Sequence, residues 1–136
     1  MYVVDTNIVS ELIKGGRNGG TAWVDRTEPR SLYLAATTIY EITWGLEQLP
    51  PGRKRARLEA AWEREVRPAI ADRILTLDEA AAREWGRLVG GGTRQGFTPP
   101  LLDAQIAAIV IVNGMTVVTR DRRGFGRLGC DLLLLD

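Results

Sequence analysis

The sequence predicts an α/β fold with a mainly parallel sheet and helices on both of its faces. Short β-branched runs alternate with longer segments of helical periodicity along the chain, which is the pattern of strands joined by crossover helices. No internal repeat, low-complexity tail or linker interrupts the 136 residues. We therefore expect one domain spanning residues 1–136.

The strands are predicted where β-branched or apolar residues follow turn signals. In chain order, the predicted strands are Tyr2–Val4, Leu32–Ala35, Arg73–Leu77, Met115–Thr119 and Leu132–Leu135.

The helices are predicted from apolar periodicity and from the residues that begin or end helices. The stop signals are Gly15-Gly16, Pro50-Pro51-Gly52, Gly90-Gly91-Gly92 and Gly114, and Arg17–Gly20 is interpreted as a turn. Pro68 is expected to end or kink its helix. Thr37 or Thr38 would cap the third helix, with Glu41 in capping-box position. The predicted helices are 6–14, 21–27, 38–48, 53–67, 79–89 and 103–113.

Several residue types are absent or rare, and this excludes whole classes of site. The chain has no histidine, which removes Ser-His-Asp triads and His-ligated metals. The single Cys130 cannot form an internal disulfide, so we expect a reducing compartment and interpret Cys130 as a core residue. No signal peptide is recognisable and the longest apolar run, Ile106 to Val112, is too short to span a bilayer, so a cytoplasmic location without membrane contact is expected.

Four acidic residues are predicted to lie at one edge of the sheet. Asp5 directly follows the first strand, Asp121 follows the fourth after one residue, Asp103 begins the most apolar helix, and Glu41 lies in the first turn after the second strand. Ligands of open α/β sheets bind at the carboxyl ends of the strands. Carboxylates close together raise each other's pKa unless a cation separates them. With only oxygen ligands available, Mg²⁺ or Mn²⁺ is the expected metal, and phosphodiester hydrolysis the expected chemistry.

Each acid also has a structural interpretation when it is taken alone. Asp5 and Asp103 could be simple helix caps, Glu41 a capping-box residue, and Asp121 a turn residue paired with arginine. The joint pattern favours the functional interpretation, because all four fall at one predicted edge.

The motifs around these acids resemble those of PIN-domain ribonucleases, and especially the VapC-type toxins of toxin–antitoxin pairs in their FitB-like branch. The resemblance runs from Tyr2 to about Leu135, and it depends on the order and spacing of several segments. These are Val3–Leu12, Thr38–Ile42 with Gly45, Leu49-Pro50 with Gly52-Arg53, Asp72–Leu75, Trp85-Gly86, Leu102–Ala108 and Val118–Asp121.

The resemblance implies a PIN-like three-layer sandwich with a five-stranded sheet, and Mg²⁺- or Mn²⁺-dependent cleavage of RNA. Its metal-binding and catalytic acids correspond to Asp5, Glu41, Asp103 and Asp121. Supporting polar residues correspond to Thr6 and Thr119, which would orient carboxylates or metal-bound waters. Asn7 is either a further polar contact or a helix-start residue. Relatives commonly carry Asp-Phe where this chain has Gly124-Phe125, which leaves open whether one metal ion binds or two.

The resemblance also implies a homodimer and a cognate antitoxin whose C-terminal segment wraps the protein and masks the site. The basic run Arg53–Arg57 is either a solvated face or a contact for RNA phosphates. We prefer Arg120, Arg122 and Arg123 as phosphate contacts, because they lie closer to the predicted centre. Trp44 and Trp62 are interpreted as core or partner-groove residues.

The working hypothesis is therefore a metal-dependent endoribonuclease that acts as the toxin of a toxin–antitoxin pair. Its main rival is a catalytically weak PIN-fold module that binds RNA or protein. A different metal-dependent phosphotransfer enzyme, such as a deoxyribonuclease, and a response-regulator-like domain are further alternatives. The latter would need a lysine at a late strand end, whereas Lys14 and Lys54 are both early. No motif selects the target RNA.

Overall fold

The computed structural model, which covers residues 1–136, contains a five-stranded sheet in which all paired strands are parallel. The strands follow one another across the sheet in the order β3-β2-β1-β4-β5. The predicted parallel α/β fold is confirmed. The strands are β1 (Tyr2–Val4), β2 (Leu32–Ala35), β3 (Ile74–Leu75), β4 (Thr116–Thr119) and β5 (Leu132–Leu134).

Eight helices connect and cover these strands. They are α1 (Thr6–Lys14), α2 (Gly19–Asp25), α3 (Ala36–Gln48), α4 (Arg53–Ala61), α5 (Arg67–Ile70), α6 (Glu79–Arg94), α7 (Leu101–Val112) and α8 (Arg122–Phe125). A short 3₁₀ turn, Pro29–Ser31, precedes β2, and a π-helical turn, Trp62–Val66, joins α4 to α5. None of the helices is both long enough and apolar enough to cross a membrane.

The structure corrects several predicted boundaries. The second helix begins earlier, at Gly19, where the sequence predicts a turn, because Asn18 caps it through a capping box with Thr21. Pro68 does not end its helix. The π turn before it places the Arg67 amide on the Trp62 carbonyl, and the chain stays helical to Ile70 although Pro68 has no amide proton to donate.

Two further predictions about helix and strand ends are wrong. The helix that contains Gly90-Gly91-Gly92 continues to Arg94. The third strand shortens to Ile74–Leu75, at the edge of the sheet, where it pairs only with β2.

The core has two halves, one on each face of the sheet. Val3 and Val117 belong to the half formed with α6 and α7, whereas Val4 and Val118 belong to the half formed with α1, α3 and α4. This alternation is the period-two geometry of strands, and it gives the predicted three layers. Cys130 packs against the first half, and burial raises the pKa of its thiol, in agreement with the core interpretation.

Candidate active site

The register of β1 and β4 places Asp5 next to Thr119. Val4 pairs with Val118, and the Asp5 amide donates to the Val118 carbonyl at 2.9 Å. β1 ends at Val4 and β4 ends one residue further on, at Thr119, so Asp5 and Thr119 both lie at the carboxyl edge of the sheet. The prediction that Asp5 and Asp121 lie at the same edge of the sheet agrees with this pairing.

Asp5 is almost completely buried, with 4% of its surface exposed, and both of its carboxylate oxygens are hydrogen-bonded. Oδ1 accepts from the Thr6 amide at 2.8 Å, which is also the N-cap contact of α1. Oδ2 accepts from the Thr119 hydroxyl at 2.6 Å. The same hydroxyl oxygen accepts from the Asp121 amide at 2.9 Å, so Thr119 links the positions of two of the predicted acids.

Glu41 is joined to α1 through a chain of threonine hydroxyls. The Thr6 hydroxyl donates to Glu41 Oε1 at 2.8 Å. Because its single proton is used there, the 2.8 Å contact between the two threonine hydroxyls makes Thr38 the donor to Thr6.

The predicted helix caps at this place are wrong. Helix α3 begins at Ala36, directly after β2, and no side chain caps it. Thr37 and Thr38 are therefore buried inside the helix, and Glu41 lies in its second turn, without a capping-box contact. The Thr37 hydroxyl donates a hydrogen bond to the Gln105 side chain of α7, and the Thr38 hydroxyl donates to the Thr6 hydroxyl. Sequence reasoning missed Thr38 as part of the site, although its position three residues before Glu41 was the available signal.

Asp103 and Asp121 approach each other across Gly124. Asp103 is the third residue of α7, which begins at Leu101, and Asp121 caps α8 through the Arg123 amide at 3.0 Å. Gly124 is buried between them. A Cβ atom at Gly124 would collide with Asp103 Oδ2 and lie 3.1 Å from Asp103 Cγ and from Asp121 Oδ2. The missing side chain therefore leaves the space that the two carboxylates occupy.

The acids influence one another electrostatically. Burial, together with the charges of Asp103 and Glu41, raises the pKa of Asp5 from 3.8 to about 6, although hydrogen bonds from Thr119 and Thr6 oppose this. Burial, then the charges of Glu41 and Asp121, raises the pKa of Asp103 from 3.8 to about 6. All four predicted acids thus take part in one network of like charges, and a cation would relieve its repulsion.

The donor set fits a hard divalent cation in its chemistry. It offers carboxylate oxygens without histidine or thiolate, which are the ligands that Mg²⁺ and Mn²⁺ prefer. As the side chains stand, no three acidic groups converge closely enough to hold one ion. Binding of a cation would therefore have to draw the carboxylates of Glu41, Asp103 and Asp121, which are only partly buried, closer to Asp5.

The other predicted site residues, Asn7, Arg120, Arg122 and Arg123, are exposed at the surface around the acids. Asn7 is exposed on the first turn of α1. Arg120 follows β4 directly, whereas Arg122 and Arg123 lie exposed on α8.

The basic run Arg53–Arg57 and the two tryptophans Trp44 and Trp62 differ in how far their side chains are exposed. In the run Arg53–Arg57, Arg55 pairs with Glu47 and Glu59 and its neighbours Arg53, Lys54 and Arg57 are exposed. Trp62 is a core residue, as predicted, but Trp44 is 54% exposed. Trp44 is therefore not part of the core.

The fold is that of a known class. The model of the PIN domain family matches residues 2–129, and the chain therefore belongs to the PIN-domain family. The resemblance expected from the motifs is confirmed.

Two curated relatives cover nearly the whole chain. A VapC ribonuclease of Sinorhizobium fredii is 36% identical over 134 residues, which are 98% of this chain and 96% of the relative. The toxin FitB of Neisseria gonorrhoeae is 32% identical over 126 residues, which are 92% of this chain and 91% of the relative.

Solved structures of the same class superpose closely. The chain matches a structure of FitAcB from Neisseria gonorrhoeae with a TM-score of 0.87 and 30% identity, over 98% of this chain and 96% of that one. It also matches a member of the VapBC family of toxin–antitoxin systems from Mycobacterium tuberculosis, with a TM-score of 0.68 and 26% identity, over 97% and 94% of the two chains.

Proposed function

We propose that the protein is a Mg²⁺- or Mn²⁺-dependent endoribonuclease and that it acts as the toxin of a toxin–antitoxin pair. The observation that carries this proposal is the network of Asp5, Glu41, Asp103 and Asp121, in which burial and mutual repulsion raise the pKa of two of the acids. The similarity to a VapC ribonuclease and to the toxin FitB supports the same activity.

The four acids would hold the cation, and the threonines would orient them. Thr119 fixes Asp5 Oδ2 and the backbone of Asp121, and Thr6 fixes Asp5 Oδ1 and Glu41. Such outer contacts set the direction of a carboxylate before a ligand arrives. When bound, a divalent cation lowers the pKa of a water molecule and offsets negative charge on the phosphodiester.

We further propose that the cognate antitoxin lies in an apolar groove beside the acids. The groove, about 320 Å³ in volume, is formed by α1, α3 and α4, and Glu41 lies at its wall. Its floor includes Ile13, Ile42 and Leu58, which belong to the core. A peptide in this groove would cover Glu41 and block access to the acids, and relatives of known structure are members of toxin–antitoxin complexes.

A homodimer is the proposed state of the toxin itself. Tyr40 and Trp44 are each 54% exposed and lie four residues apart on α3, so they are neighbours on the helix surface and form one exposed aromatic patch. Large exposed aromatic side chains of this kind are enriched at protein interfaces.

Cleavage of labelled single-stranded RNA by the purified protein tests the proposed activity. We expect cleavage with Mg²⁺ or Mn²⁺, none with EDTA, and a loss of at least a hundredfold for Asp5→Asn, because that acid is central to the network. Asp72→Asn is the matched control, since Asp72 is exposed and precedes β3 at the opposite edge of the sheet.

The rival interpretation, a binding module with weak or no catalysis, predicts a different outcome. If Asp5→Asn, purified in parallel, cleaves as fast as the unchanged protein, the activity is a contaminant and the proposal is wrong. Calorimetric titration with Mn²⁺ separates the two cases further, because a module without metal affinity at millimolar concentration would be the rival.

A further inference from the structure

A second cavity lies beside the acids, on the side of Asp121, and has no role in the arrangement described so far. It is about 390 Å³ in volume, and every side chain that lines it is polar or charged. One wall is the outer face of α1 and the other is the segment after β4, where Arg120 and Asp121 lie. The cavity adjoins the apolar groove but opens on the other side of α1's exposed face, and Ser10 and Lys14 contribute to both.

The wall on α1 is a polar stripe at helical spacing. Asn7, Ser10, Glu11 and Lys14 follow one another at i, i+3, i+4 and i+7, whereas Ile8, Val9 and Ile13 on the same helix are buried. The stripe begins two residues after Asp5 and rises about 10 Å to Lys14. It therefore leads away from the acids along the protein surface.

Arg120 in the other wall is held in place by contacts of its stem. Its Cδ atom packs on Gly20, where an added Cβ would lie 3.1 Å from it. Its Nε donates to the main-chain carbonyl of Asp136 at 2.8 Å. Neither terminal guanidinium nitrogen of Arg120 has an acceptor in the protein, and the residue forms no ion pair. These donors are fixed in position and free for an external acceptor.

Lys14 faces the same cavity and is also unpaired. Its side chain is exposed and forms neither a hydrogen bond nor an ion pair. Glu11 and Asp136 line the cavity as well, but the Glu11 carboxylate lies against Gly16, and Asp136 offers its carbonyl to Arg120. Lys14 and Arg120 are therefore the two basic side chains without an ion pair in a lining that also holds the carboxylates of Glu11, Asp121 and Asp136.

We infer that this cavity binds a backbone phosphate of the RNA strand next to the phosphodiester that is cleaved, with Lys14 and Arg120 as its ligands. The inference rests on the proposed ribonuclease function and adds the path of the substrate. Arginine and lysine supply most of the affinity for nucleic acid backbones. The absence of apolar lining favours a phosphate chain over an apolar peptide, and the position of Asp121 in the wall makes the occupant a direct neighbour of the acids.

The test compares Lys14→Ala, Arg120→Ala and Arg120→Lys on an RNA oligonucleotide that the unchanged protein cleaves. We expect KM to rise about five- to tenfold for either alanine variant, within the range of one lost hydrogen bond at an exposed position, and kcat to stay within twofold. Arg120→Lys keeps the charge and should show a smaller rise. Arg30→Ala is the matched control. Arg30 is exposed and lies just before β2, at the amino ends of the strands and therefore at the end of the sheet opposite the acids.

Binding measured on the Asp5→Asn background gives a second readout that folding alone would not move. The slope of log affinity against log salt concentration should fall by about 0.7 for each lost phosphate contact to a single strand. Lys14→Ala removes no contact within the protein, so it stays informative even if Arg120→Ala unfolds.

Three results would contradict either the phosphate site or the proposed ribonuclease function. Unchanged KM and salt slope in both alanine variants would overturn the phosphate site while leaving the ribonuclease intact. Weaker binding of the antitoxin peptide with unchanged RNA binding would assign the cavity to the partner and overturn it as well. No cleavage of any RNA by the unchanged protein would instead refute the proposed function.

Discussion

Two kinds of small residue, threonine and glycine, control the acidic site at the level of single side chains. Thr119 and Thr6 each contact a pair of acids or their backbone, so a change in one carboxylate is transmitted to another. Gly124 acts by leaving space against Asp103 and Asp121. Asp5 and Asp121 could be predicted from their positions after strands, and Asp103 and Glu41 from their positions near the starts of helices. Thr38 had a signal in its spacing to Glu41, but the role of Gly124 could not be predicted, because it depends on contacts between distant segments.

Gly124→Ala is expected to lower the rate of RNA cleavage at least tenfold. A displacement of about 1 Å at a group that takes part in the reaction can lower the rate by about a hundredfold. The new methyl group would collide with the Asp103 carboxylate and press on Asp121. The measurement is the cleavage rate together with the Mn²⁺ affinity from calorimetry.

Gly86→Ala is the control for the glycine substitution. Gly86 is exposed on α6, and an added Cβ meets no atom within 4 Å, so the change should keep full activity. Equal activity and Mn²⁺ affinity in both variants would show that Gly124 does not set the spacing of the acids.

At the level of elements, the starts and ends of helices depend on what packs against them. Helix α3 begins without any cap because β2 runs straight into it, and Thr38 is satisfied by Thr6 instead. Helix α6 passes through three glycines that resemble a stop signal. At Gly92 a glycine is needed because the loop after the helix packs closely against it. An added Cβ would lie 2.6 Å from the Phe97 carbonyl oxygen and 2.9 Å from Pro99 Cδ.

The exposed face of α3 yields a prediction about assembly. Trp44→Asp should convert the proposed homodimer to a monomer at micromolar concentration, because loss of a central interface tryptophan typically costs about 2 kcal/mol or more. Sedimentation velocity measures the mass directly. Trp44→Phe, which keeps an aromatic ring, should remain dimeric.

An unchanged sedimentation coefficient for Trp44→Asp would exclude this face of α3 from the interface. The same result with a dimeric parent protein would direct attention to the other exposed apolar residues, Leu77, Leu101 and Val112.

At the level of the whole molecule, the acidic site should make stability depend on pH when no metal is bound. The pKa of Asp5 rises from 3.8 to about 6 on folding, so the folded protein binds this proton more tightly than the unfolded chain. The free energy of unfolding in EDTA should therefore fall as the pH rises from about 4 to about 6, and level off above, by on the order of 2 kcal/mol.

Denaturant unfolding at several pH values measures this dependence. Asp5→Asn should make the curve shallower but not flat, since it removes one of two carboxyl groups with a raised pKa and leaves Asp103, and excess Mn²⁺ at pH 7.5 should restore stability to the unchanged protein but less to the variant. A stability that rises steadily between pH 4 and 6 in EDTA would contradict the buried, repelling arrangement of acids.

The fold class, the order of the strands and helices along the chain, and the four acids at one edge of the sheet could all be predicted from the amino-acid sequence. Periodicity and the position of polar residues after strands are local properties, and they remain legible without contacts. How those acids are held depends on tertiary contacts. These are the Thr38–Thr6–Glu41 chain of hydrogen bonds, the Thr119 link between Asp5 and Asp121, and the space at Gly124. The cavity between Lys14 and Arg120 likewise forms only in the folded chain. Each of these joins segments far apart in the chain, and such contacts depend on strand register and helix packing, which no local pattern encodes.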